Sequence, residues 1–172
     1  MSRKLNRRNF INQFSGSLLV GSLPLLTQAK SKKQPLTTTN TSHLNVVKPS
    51  SPEEIAFMPL HLQLALIRNK KMTCTELLDI YMERIQTVND KQKLNCFIHK
   101  NYESAKSQAT ELDALAKHNS WRGPLHGAIL TVKDDLDVKN FTTTCGSKSL
   151  ENWQPSTDAI CIAKLKQAGA VI

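Results

Sequence analysis

The residues best suited to chemistry sit together in one short stretch. Gly123 to Asp137 reads GPLHGAILTVKDDLD: an apolar run, Ala128–Val132, is closed by Lys133 and followed at once by Asp134, Asp135 and Asp137. A lysine so placed has two chemical uses. Buried at a strand end, its ammonium form is disfavoured, its pKa falls from about 10.4, and the neutral amine becomes a general base. On a solvated loop it pairs with Asp134, Asp135 or Asp137 instead, and spacing alone favours that pairing. His126, between Gly123-Pro124 and Gly127, suits either an active-site loop or a turn-stabilising hydrogen bond. His43, His61, His99 and His118 are scattered, and the chain contains no G-x-S-x-G, no P-loop and no G-x-G-x-x-G. Cys74, Cys96, Cys145 and Cys161 are widely spaced without a C-x-x-C pair. Zinc is poorly supported, spacing selects no disulfide, and buried or semi-buried free thiols are expected. No cofactor is implied.

Several elements must position these groups. EEIAFMPLHLQLALIRNKK is acidic at its start and basic at its end, as the helix dipole favours, with Pro59 at a helix start or a break between two short helices. TCTELLDIYMERIQTVN carries a capping box, Thr73 with Glu76, and an apolar face of Leu77, Ile80, Tyr81, Ile85 and Val88. LNCFIHK, residues 94–100, reads as a short strand. YESAKSQATELDALAKH places Ala105, Ala109, Leu112, Leu115 and Ala116 on a narrow face suited to close packing. The strand Ala128–Val132 follows, then a loop TTTCGSKSL, then a helix AICIAKLKQAG with Asp158 as its cap and Gly169 as its stop. The final AVI begins another strand. A helical segment followed by alternating strand and helix predicts an α/β layer structure.

The chain is 172 residues long with a net charge of +9, but that charge is concentrated at one end. Residues 1–33 hold seven basic groups and no acid, whereas 16 Lys/Arg face 14 Asp/Glu from Gln34 onward. Nucleic acid is therefore not an expected partner of the domain, and 5% aromatic content provides few base-stacking platforms. Residues 1–29 resemble a twin-arginine signal peptide: Arg7-Arg8 precede the weakly apolar FSGSLLVGSLPLL, and Thr27-Gln28-Ala29 supplies small residues for cleavage. Gly16, Gly21 and Pro24 interrupt a run too short to span a bilayer, so no stable membrane anchor is expected. Residues 30–51 are a polar linker, and the domain occupies 52–172. The expected location is periplasmic or secreted, with the twin-arginine export machinery as a partner.

From Pro52 to Ile172 the chain resembles the amidase signature family. The motifs that carry the likeness are Gly123-Pro124-Leu125-His126-Gly127, Val132-Lys133-Asp134, Asp137, Thr143-Thr144, Gly146-Ser147, Asp158-Ala159 and Leu165 to Val171. TELLDIYMERI and LNCFI fit the family's N-terminal segment. The resemblance implies a layered α/β fold, a mixed sheet flanked by helices, incomplete in this chain. It also implies a Ser–cis-Ser–Lys triad hydrolysing a carbon–nitrogen amide bond, with Lys133 as its base. Neutral Lys133 would take the nucleophile's proton through the bridging serine and return it to the departing amine, backbone N–H groups holding the oxyanion.

Three departures from the family pattern stand out. Ala128-Ile129-Leu130 lacks the proline common there, and Lys133-Asp134-Asp135 replaces Lys-Asp-Asn, adding a carboxylate that favours a charged lysine. The Gly/Ser-rich loop that supplies both serines does not follow Lys133. These 172 residues alone are accordingly expected to be inactive, as a truncated or frameshifted product or half of a split protein. Completed, the protein would take a small-molecule amide. The other readings are a cytoplasmic protein like the A-subunit of the glutamyl-tRNA(Gln)/aspartyl-tRNA(Asn) amidotransferases and a non-catalytic exported remnant. Export separates the first of these from an exported amidase.

Overall fold

The computed structural model describes residues 44–172; the expected signal and the linker up to residue 43 lie outside them. Helix α1, Pro52–Phe57, starts where the sequence places it. Pro52 needs no amide donor in the first turn, Glu53 and Glu54 face the positive helix end, and Ser51 Oγ accepts the Glu53 N–H at 3.2 Å. Pro59 then marks a break between two short helices, α2 being Leu60–Arg68. Buried Gln63 seals that break, its amide donating to the Ile55 carbonyl at 2.9 Å and to the Tyr81 hydroxyl at 2.8 Å.

Helix α3, Cys74–Arg84, has the expected capping box. Thr73 Oγ1 accepts the Glu76 N–H at 3.0 Å and Glu76 Oε2 accepts the Thr73 N–H at 2.8 Å. A second, unexpected cap comes from α4, Tyr102–Lys117. The Asp113 carboxylate accepts the Cys74 N–H (2.7 Å), the Thr75 N–H (3.1 Å) and the Thr75 hydroxyl (2.7 Å). The small face of α4 explains this approach: Ala105, Ala109 and Leu112 are buried in one cluster with Leu77 and Leu78 of α3. The expected α-helix to residue 89 continues past Arg84 as a wider π turn, Ile85–Asp90, which carries Asn89 inward.

Two expectations need correction here. Residues 94–100 form no strand: Lys93 and Asn95 have φ of 55° and 53°, which breaks extended geometry. The Cys96 N–H goes to Asn89 Oδ1 at 2.8 Å rather than to a neighbouring strand, and Leu94 and Ile98 are exposed. Asp158 does not cap α5, Ile160–Gln167, whose N-cap is Ala159. Its carboxylate instead accepts the Lys139 N–H (2.8 Å) and the Lys166 ammonium (2.7 Å).

The strand expected at residues 128–132 is reduced, among the described residues, to a single parallel bridge between Ile129 and Val171. Val171 N–H donates to the Ala128 carbonyl at 2.8 Å and Leu130 N–H to the Val171 carbonyl at 2.9 Å. With α5 between its two partners, this is the nucleus of a strand–helix–strand unit. The expected mixed sheet is not formed among the described residues, because a parallel pair requires neighbours and covering layers on both faces.

Candidate active site

The GPLHG segment is a locked support. Its turn closes through His126 N–H to the Gly123 carbonyl at 3.3 Å, and Leu125 and Gly127 N–H donate to the Ala168 and Gly169 carbonyls, both at 2.9 Å. Gly127 has φ +85°, and a Cβ there would meet Cys74 Sγ at 2.6 Å and Ile67 Cδ1 at 2.8 Å. Gly169 has φ +98°, and its Cβ would meet His126 Cα at 2.7 Å. Both positions therefore demand glycine for conformation and for space.

His126 is buried inside this support. Its Nδ1 accepts the Arg122 N–H at 3.0 Å, and its Nε2 lies 3.2 Å from the Leu112 carbonyl, so the neutral ring carries its proton on Nε2. The Trp121 ring meets it edge-on at 4.9 Å, and Arg68 lies over Trp121 while donating to the Gly123 carbonyl at 2.8 Å. Burial holds the His126 pKa below its ordinary value, with Arg68 and Arg122 pushing the same way. Of the two roles open to this histidine in the sequence, it fills the turn-stabilising one. Cys74, pressed against Gly127, is also buried; desolvation, then Asp113, pushes its thiol pKa up, so it is no nucleophile at neutral pH. The expectation of buried or semi-buried thiols holds for Cys74 and fails for Cys96, Cys145 and Cys161, which are exposed on loops and on the outer face of α5.

Past Val132 the environment changes. The Lys133 side chain is 81% exposed and its Nζ lies 2.9 Å from Asp135 Oδ2. The hydrogen bond from Lys133 to Asp135, then the charge of Asp135, raises the lysine pKa. The burial that would make this lysine a base is therefore not supplied by the described residues: the strand that should bury it has one partner and an open side. Asp134 has the opposite fate. It accepts the Thr144 hydroxyl and, at 2.9 Å, the Thr144 N–H, while its own carbonyl accepts the Cys145 N–H at 2.9 Å. The Thr144 hydroxyl, then the Thr144 N–H, holds the Asp134 pKa below the usual carboxylate range. Further on, the Asp137 carbonyl accepts the Ala159 N–H at 2.8 Å, which fastens the loop to the start of α5.

The clip between Asp134 and Thr144 was not singled out by sequence reasoning. Its signal was present as two polar motifs, Val132-Lys133-Asp134 and Thr143-Thr144-Cys145-Gly146, joined by a short loop. Lys133 stands on the wall of a groove of about 860 Å³, lined chiefly by apolar side chains including Leu78, Met82, Ile129, Leu136 and Phe141.

Residues 76–172, more than half of the chain, match the sequence profile of the Amidase family. The chain belongs to the amidase family. It is 39% identical over 106 residues to the A-subunit of glutamyl-tRNA(Gln) amidotransferase from Exiguobacterium sibiricum, covering 62% of this chain and 21% of that protein. The corresponding protein of Bacillus velezensis is 37% identical with the same coverage. The chain thus spans about a fifth of the length of the curated relatives it matches. Among solved structures, native peptide amidase from Stenotrophomonas maltophilia superposes with a TM-score of 0.63 at 30% identity, covering 67% of this chain and 24% of that one. Fatty acid amide hydrolase superposes at 0.65 with 22% identity over 72% of this chain and 22% of that one, a likeness of fold alone. The amidase fold of these neighbours is α/β, so the helices and the single parallel bridge belong to that class. The match includes the whole stretch from Gly123 through Gly169.

Proposed function

We propose that this chain is the lysine-bearing N-terminal portion of an amidase that hydrolyses a carbon–nitrogen amide bond through a Ser–cis-Ser–Lys triad, with Lys133 as the base. The observation that carries the reading is the placement of Lys133 between two fixed points. The His126 turn holds the segment before it, and the Asp134–Thr144 clip holds the backbone after it. A base that must reach one proton in one direction needs such a mount. The two serines are to come from residues absent from this sequence, and completion of the groove, once it parts Lys133 from Asp135, would bury the lysine and lower its pKa.

Two experiments test this reading. Purified alone, the chain is expected to leave simple amides intact; robust turnover that disappears in Lys133→Ala would overturn the need for further residues. Fused in register to the remaining portion of the Stenotrophomonas peptide amidase, residues 52–172 are expected to restore hydrolysis, with Lys133→Ala costing about 10²–10⁴-fold. A fusion that hydrolyses amides equally well without Lys133 rejects the base.

The names of the relatives favour a second reading, a component of a glutamyl-tRNA(Gln) amidotransferase. We favour an exported amidase because of the Arg7-Arg8 signal, which directs the protein to the periplasm or beyond through the twin-arginine machinery. Cell fractionation separates the readings: export lost on Arg7→Lys with Arg8→Lys supports the amidase, and a cytoplasmic wild type supports the amidotransferase.

A further inference from the structure

The two carboxylates next to Lys133 do different work. Asp134 is committed through its two carboxylate oxygens to the backbone N–H and the hydroxyl of Thr144. Asp135 makes the ion pair, at 2.9 Å, with its own side chain and that of Lys133 both reaching into solvent. Among the described residues around Lys133, the Cys145 side chain acts in the same direction when it is ionised. His99, which also lines the groove, acts on Asp134.

We propose that Asp135 is a positioning residue for the lysine: it parks Lys133 as an ammonium ion at the groove wall, and the amine becomes free only when this pair is broken. The proposal rests on the reading of Lys133 as the base. Covering the groove without displacing Asp135 would bury an intact ion pair, and a paired, buried ammonium stays charged. Release is a simple proton balance. Asp135 withdraws, Lys133 Nζ gives one proton to water, and its freed lone pair is then available to accept the proton of a hydroxyl. Asparagine at the same position would keep the shape of the side chain and remove the charge that favours the ammonium form.

The test uses the full 172-residue chain and needs no turnover. Trace labelling with acetic anhydride across a pH series, read by mass spectrometry of the Lys133 peptide, reports how much of that amine is neutral. At a pH below the ordinary lysine range, Asp135→Asn and Asp135→Ala are expected to label Lys133 about two- to fivefold faster than wild type, as befits an exposed pair. The gain should shrink in high salt. Asp137→Asn should label like wild type. Equal rates in wild type and both Asp135 variants, or an equal gain in Asp137→Asn, overturn the proposal. A failed amidase reading appears elsewhere, as a fusion whose hydrolysis ignores Lys133, and leaves the labelling ratios untouched.

Discussion

The turn ending at Gly127 and the loop beginning at Lys133 are close in sequence and opposite in construction. In the first, the buried polar groups are paired: His126 uses both ring nitrogens, Arg68 holds Gly123, and Gly127 leaves no room for a side chain against Cys74. In the second, the backbone is fastened by Asp134 and Asp137 while the Lys133 side chain stands in water. The difference teaches that rigidity and reactivity are supplied separately here. The turn fixes where the segment between them starts, and the loop fixes only where the lysine is rooted.

Substitutions should reproduce that division, with the largest cost in the turn. Gly127→Val places a branched side chain at positive φ against Cys74 and Ile67, and about 2–5 kcal/mol of stability should be lost in urea denaturation. His126→Ala removes a buried ring and strands the Arg122 N–H and the Leu112 carbonyl, for about 2–4 kcal/mol. The same residue predicts a pH effect. Because the folded pKa of His126 is depressed, its contribution is complete above the unfolded value of about 6.5 and is lost as pH falls below it. Denaturation midpoints measured down a pH series should drop less steeply there in a His126→Gln variant.

Thr144→Val removes the hydroxyl bond to Asp134 but keeps the amide bond, and about 0.5–1.5 kcal/mol should be lost. The Asp134 contribution has its own window. With the folded pKa lowered, it is present above about 3.9 and lost as pH falls through the folded value, so the variant's penalty should fade in acid. Smallest of all, Lys133→Ala and Asp135→Asn should leave the denaturation curve unchanged within error, since their pair is exposed. A large loss in either would erase the contrast between the two regions.

The helices were legible because their signals are local. The Thr73–Glu76 box, the Pro59 break and the alanine face of α4 need only neighbours within a turn or two. The strands were legible only in part, the Ile129–Val171 bridge joining two segments expected to be extended, because pairing depends on residues far away. Leu94–Lys100 has strand-like composition, yet Asn89 and a left-handed Asn95 take its backbone elsewhere. His126 shows the same limit at the site. Its place between glycines was visible, but its acceptor on Leu112 belongs to a different helix. Lys133 was identified from its motif, while its exposure follows from how little of a sheet the described residues build.

The unequal burial of the cysteines gives the molecule an internal clock. Cys96, Cys145 and Cys161 are open to a thiol reagent at once, whereas Cys74 is sealed behind Gly127, with its thiolate suppressed. It should react only when α3 parts from the turn, so its slow phase counts openings of the support. Followed by mass, the fourth adduct would time that separation without an added probe.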